Sequence, residues 1–123
     1  MNGIKSLYDP KLNRSFYMAD YYDSMNDFIL NFDDNVHELK EGNRIELWQN
    51  IELEAMETPG HDWSCLTYKI DKYLFTGDSY IPGISVFTKL PKSNKEKANE
   101  SLIKINELQI KDSLIICPGH VIE

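Results

Sequence analysis

Thr58-Pro59-Gly60-His61-Asp62-Trp63-Ser64 is the stretch that decides the fold, because its Pro-Gly-His returns at Pro118-Gly119-His120. The chain of 123 residues has only three histidines, and two of them follow the same turn. Proline stiffens a turn by fixing φ, and glycine lets the backbone take conformations that a Cβ forbids. A histidine placed after that pair is a histidine that has been aimed.

The flanks of both turns read as strands. Arg44–Trp48 is followed by a turn at Gln49-Asn50. Ile51–Met56 then alternates, with Ile51, Leu53 and Ala55 on one face and Glu52 and Glu54 on the other. Period-2 alternation marks a half-buried strand. Cys65–Ile70 alternates again, with Leu66, Tyr68 and Ile70 in phase, and Asp71-Lys72 makes a tight turn. Tyr73–Thr76 ends in Gly77-Asp78, and Ser113–Cys117 leads into the second Pro-Gly-His. Ser93 and Glu96 fit a capping box opening a helix whose apolar stripe is Ala98, Leu102, Ile105 and Leu108. Before residue 44 the pattern is less regular: a short helix is expected over Asp20–Leu30, and Asp33-Asp34-Asn35 and Glu41-Gly42-Asn43 read as loops. Strands with a flanking helix give an α/β or α+β layer arrangement.

His61, Asp78 and His120 therefore share one setting, a loop at a strand end beside a residue lacking bulk. Sites gather where several strand ends supply loops at one sheet edge. Neutral imidazole and carboxylate suit zinc, iron or manganese. Each residue alone is an ordinary turn histidine or capping aspartate; the three together point to a metal.

Composition bounds the rest. Hydrophobic content of 41% and charged content of 27% suit one globular domain. The net charge of −7, from 20 acidic and 13 basic residues spread along the chain, argues against a nucleic-acid partner. No run of eighteen apolar residues spans a membrane, and MNGIKSLYDP carries no signal-peptide region. Cys65 and Cys117 form no CxxC pair, so buried free thiols in a reducing, cytoplasmic compartment are expected.

Taken in order, Thr58-Pro59-Gly60-His61, Leu74-Phe75-Thr76-Gly77-Asp78 and Cys117-Pro118-Gly119-His120 resemble the later metal motifs of the metallo-β-lactamase-fold hydrolases, glyoxalase II-like branch. Leu7-Tyr8-Asp9-Pro10-Lys11-Leu12-Asn13 resembles a segment those proteins carry between their first metal motif and Thr-Pro-Gly-His. The resemblance implies an α/β fold, the C-terminal portion of an αββα sandwich with a mixed, mostly antiparallel sheet. It implies that His61 binds one metal, His120 a second, and Asp78 bridges them, with zinc the expected metal and iron or manganese alternatives. It implies hydrolysis of a thioester, ester or lactone, a small-molecule substrate, by metal-bound hydroxide.

One departure matters most. The family's His-x-His-x-Asp-His motif, which supplies four of its usual ligands, has no counterpart here, and His37 lacks a companion at that spacing. His37 reads as a surface histidine. Residues 1–123 are thus expected to form a single incomplete domain, inactive alone, holding metal weakly or at one position. A missing N-terminal half or a second copy of the chain should cover the sheet face bearing Ile51, Leu53, Leu66, Tyr68 and Ile70. The alternative is a non-catalytic remnant serving as a binding or assembly module. Around the ligands, Asp62 is placed to hydrogen-bond a metal-bound imidazole, and Trp63 either walls the pocket or is a partly buried structural residue. Ser79 and Tyr80 belong near the pocket or to the packing beneath it.

Overall fold

The computed structural model describes residues 36–121. The chain divides into two compact units, Met1–Glu38 and Leu39–Glu123, and the account below concerns the second. The helix expected over Asp20–Leu30, the loop at Asp33-Asp34-Asn35 and the Leu7–Asn13 segment lie outside the described residues. His37 is exposed, as a surface histidine should be.

Five strands and a helix make up the described fold: β1 (Arg44–Trp48), β2 (Ile51–Glu57), β3 (Leu66–Ile70), β4 (Tyr73–Gly77), α1 (Lys95–Asp112) and β5 (Ile115–Pro118). The sheet order is β1-β2-β3-β4-β5. Its first three pairings are antiparallel and β4–β5 is parallel. Two-residue turns join β1 to β2 and β3 to β4; Asn50 and Asp71 take φ of 64° and 52° there, a region where Asn and Asp are tolerated best. A parallel pair needs a crossover, and α1 is that crossover between β4 and β5.

The core lies between α1 and one face of the sheet. Met56, Leu74, Ile105 and Leu114 form it, with Tyr80, Leu108 and Ile116 packed against them. The register pairs Met56 with Thr67 and Lys69 with Leu74, which puts these side chains on the helix-covered face. The opposite face carries Ile45, Leu53, Ala55, Tyr68, Ile70 and Phe75, linked by the same registers. Strand alternation was thus read in the correct phase: Leu53, Leu66, Tyr68 and Ile70 share the face away from the helix.

Two contacts anchor α1 at the far end of the site. Lys69 Nζ lies 2.6 Å from Asp112 Oδ2, and that hydrogen bond holds the Asp112 carboxyl below its usual range. Ser113 caps the helix in the left-handed conformation, its N–H bonded to the Gln109 carbonyl. The N-terminus differs from the expected capping box. Asn94, not Ser93, is the N-cap, and its side chain accepts from the Lys97 N–H. Ser93 Oγ instead donates to the His61 carbonyl at 2.5 Å. The helix start is therefore tied to the turn that carries His61.

Candidate functional site

The first Pro-Gly-His sits directly on the helix. Asn94 N–H donates to the Gly60 carbonyl at 2.8 Å, and Ser101 Oγ donates to the Pro59 carbonyl at 2.7 Å. A Cβ at Gly60 would stand 2.3 Å from Ala98 Cα, and Gly60 has φ of 143°. This glycine serves the close approach of turn and helix, so α1 positions His61.

Buried hydroxyls fix the second turn. Thr58 Oγ1 lies 2.9 Å from Thr67 Oγ1 and donates to Ser79 Oγ at 3.1 Å; Ser79 Oγ donates to the Thr58 carbonyl at 3.0 Å. All three residues are buried. The chain of hydroxyls ties the end of β2, through β3, to the residue after Asp78. Thr76 Oγ1 donates to the Tyr80 carbonyl at 2.6 Å and closes the same loop. Ser79 and Tyr80 thus hold the loop from beneath, Ser79 by hydrogen bonds and Tyr80 by packing on the core.

The second Pro-Gly-His is positioned by β5 beside β4. Gly119 N–H donates to the Gly77 carbonyl at 2.9 Å. A Cβ at Gly119 would meet Asp78 Oδ1 at 3.0 Å and the Gly77 carbonyl carbon at 3.1 Å. Here glycine leaves room for the carboxylate.

Asp78 stands between the two histidines. His61 Nε2 is 3.5 Å from Asp78 Oδ2, and His120 Nε2 is 3.1 Å from Asp78 Oδ1. The imidazoles stand at different oxygens of one carboxylate. Asp78 Oδ1 is buried and, although His120 is close, accepts no aligned hydrogen bond among the described residues. A buried acceptor left without a donor is costly unless something else satisfies it. His61 Nδ1 lies 2.9 Å from the Phe87 carbonyl oxygen. A carbonyl only accepts, so Nδ1 carries a proton, and Nε2 is the ring nitrogen that faces Asp78.

The Phe87 carbonyl thus has the orienting role expected of Asp62. Asp62 Oδ1 accepts from Ser64 N–H at 3.0 Å and Ser64 Oγ at 2.7 Å, closing its own turn. Trp63 is half-buried and does not line the pocket at His61, Asp78 and His120. That pocket is walled by Ile81, Ile84, Val86 and Phe87, none of which the alternation or the helical spacing singles out. The signal for it was Ile81-Pro82-Gly83-Ile84 followed by Val86-Phe87, an apolar run too broken to score as a strand. Cys65, half-buried near Ser79, has its thiol pushed up by burial and is a protonated, unreactive thiol. Among the described residues, no three His, Cys, Asp or Glu side chains converge on a single ion position.

With this geometry, the fold compares closely with solved structures of one kind. ST1585, an archaeal metallo-β-lactamase superfamily protein from Sulfolobus tokodaii, matches with a TM-score of 0.68 and 28% identity over 95% of this chain and 48% of its own. TTHA1623 in a di-iron-bound form matches at 0.60 with 22% identity, over 75% and 44%. ETHE1 from Myxococcus xanthus matches at 0.59 with 20% identity, over 70% and 37%. No family model and no curated protein matches the sequence. This chain spans less than half the length of each of these three structures. Its mixed sheet with a crossover helix, the strand-end loops that meet at Asp78, and these likenesses make it a protein of the metallo-β-lactamase fold.

Proposed function

We propose that this chain supplies part of a two-metal hydrolytic centre of the glyoxalase II-like kind, with His61 on one ion, His120 on the other and Asp78 between them. The observation that carries this reading is the pair of Nε2 atoms at opposite oxygens of one carboxylate, at 3.5 and 3.1 Å. A carboxylate flanked by an imidazole on each side could help to hold two ions. The donor set fits: the unsatisfied Asp78 Oδ1 awaits a positive partner, and the Phe87 carbonyl keeps a proton on His61 Nδ1, with Nε2 facing Asp78. Zinc, iron and manganese all suit these donors, and the di-iron form of a structurally similar protein supports a two-metal reading. When bound, such ions supply an activated water and polarise a carbonyl, which suits thioesters, esters or lactones.

This chain's own residues do the positioning. Helix α1 holds the His61 turn, the Thr58–Thr67–Ser79 hydroxyls hold the Asp78 loop, and Gly119 keeps His120 against Asp78. One imidazole and half a carboxylate are too few for either ion, since zinc takes three or four protein ligands. The remaining donors come from outside the described residues, from a missing N-terminal half or a second copy of the chain. Two free thiols suit a reducing compartment such as the cytoplasm. No helix among the described residues is long and apolar enough to cross a membrane.

Elemental analysis after dialysis against zinc or iron tests the reading. The chain alone should retain at most one loosely held ion, lost in His61→Ala, Asp78→Asn and His120→Ala. Two tightly held ions per chain, or a content indifferent to all three substitutions, would sink it. The second reading, a non-catalytic binding or assembly module, draws on the exposed apolar sheet face; hydrolysis restored by an added N-terminal half would exclude it.

A further inference from the structure

We infer that Ile81–Phe87 forms a substrate wall that seats an uncharged, apolar group beside Asp78, so the substrate's reacting carbonyl carries a hydrocarbon-like portion on this side. The inference rests on the reading of His61, Asp78 and His120 as a hydrolytic centre and adds the class of group that centre accepts. Ile81-Pro82-Gly83-Ile84 is a tight turn: Ile84 N–H donates to the Ile81 carbonyl at 3.1 Å, and Gly83 has φ of 81°. Proline and then glycine at its two central positions suit a type II turn. Ile81 and Ile84 pair across it as an isolated antiparallel bridge, so their side chains project to the same side. Both line the pocket, as do Val86 and Phe87.

The wall is held at both ends. Thr76 Oγ1 bonds the Tyr80 carbonyl just before it, and the Phe87 carbonyl closes it on His61 Nδ1. Its side chains are nonetheless open to solvent: Ile84 is 46% and Phe87 52% exposed. Large apolar side chains kept exposed on a tethered segment next to polar ligands match the usual make-up of a binding site, apolar walls around a few placed polar groups. Among the described residues, no lysine or arginine lines this pocket, and the ionisable groups there are His61, Asp78 and His120. A carboxylate seated against the wall would lose its hydration and leave its charge unpaired there. A neutral alkyl group does neither.

Methyl-labelled full chain titrated with hexan-1-ol and, separately, with hexanoate reads the wall directly. The Ile81, Ile84 and Val86 methyl signals should shift, with half-saturation at about tenfold lower concentration for the alcohol, and Ile84→Asp should abolish the response. Equal response to the two probes, or shifts confined to sheet-face methyls such as Ile45 and Ile115, would overturn the inference. Zinc titration of the His61 and His120 ring signals runs in parallel. Rings indifferent to zinc with the alcohol preference intact would remove the metal reading and leave the wall; zinc uptake without the preference would remove the wall alone.

Discussion

The same tripeptide is used twice for different physical reasons, and the difference is set by what each glycine touches. Gly60 faces the backbone of α1, with Ala98 Cα 2.3 Å from where a Cβ would be. Backbone cannot swing aside as a side chain can, so Gly60→Ala should cost more than about 3 kcal/mol and lower the melting temperature sharply. Gly119 faces a side-chain oxygen at 3.0 Å and the Gly77 backbone at 3.1 Å. Gly119→Ala meets only these longer contacts, so it should lower the melting temperature far less than Gly60→Ala while weakening zinc retention about tenfold, by displacing Asp78. Equal effects of the two substitutions on both readouts would count against this division. Side-chain identity made His61, Asp78 and His120 legible in sequence. The partner of His61 Nδ1 was not, because it is a backbone carbonyl at Phe87, and every residue has one.

At the scale of elements, helix α1 ties the site to the sheet. Glu41 and Lys104 make its mid-length clamp: Lys104 Nζ reaches both Glu41 oxygens at 2.8 and 2.7 Å and donates to the Glu57 carbonyl at 3.1 Å. Glu41 also accepts from the Glu57 N–H at 2.6 Å. Burial pushes the Glu41 carboxyl up, but the hydrogen bonds from Lys104 and the Glu57 backbone outweigh it and leave it below its ordinary value. A carboxyl lowered on folding stabilises the fold above its ordinary range and loses that contribution as pH falls through the lowered value. Both side chains are partly solvated, so Lys104→Met should cost only about 0.5–1 kcal/mol at pH 7. Urea melts at pH 7 and pH 3 check this: the deficit should shrink in acid, and an equal deficit at both would refute the clamp. The stripe Ala98–Ile105 was readable from helical spacing. The N-cap was not, because Ser93 and Asn94 are both good caps, and only the docking of the His61 carbonyl on Ser93 separates them.

Among the described residues, the sheet face away from α1 is open in part, with Leu53, Tyr68 and Ile70 half-buried and Ala55 buried. Phe75 is 40% exposed, Ile115 47% and Ile45 39%, all on the face away from α1. Apolar surface of this kind is rarely left to water on a monomer. The partner proposed for the site would cover it: an N-terminal half, or a second copy in its place. Sedimentation at micromolar concentration should show the chain associating, and Phe75→Lys should weaken that association with no loss of helix signal. A clean monomer would count against the proposal. Two solved structures of similar fold are about twice as long as the part that this chain matches.

By itself the sequence determined the strands, their tight turns and the apolar stripe of the helix over 44–118, and it singled out His61, Asp78 and His120 as side chains of ligand type at strand ends. Alternation and Pro-Gly punctuation are local, and a short stretch is enough to read them. The tertiary structure alone decided where those side chains meet. Asp78 stands between His61 and His120 because β4 pairs in parallel with β5 across a helical crossover, and that helix also presses on Gly60. It alone decided that 81–87 is a wall of the site, since the hydrogen bond from His61 to Phe87 spans 26 residues. Contacts at that separation leave no periodic trace in the chain, so they belong to the fold.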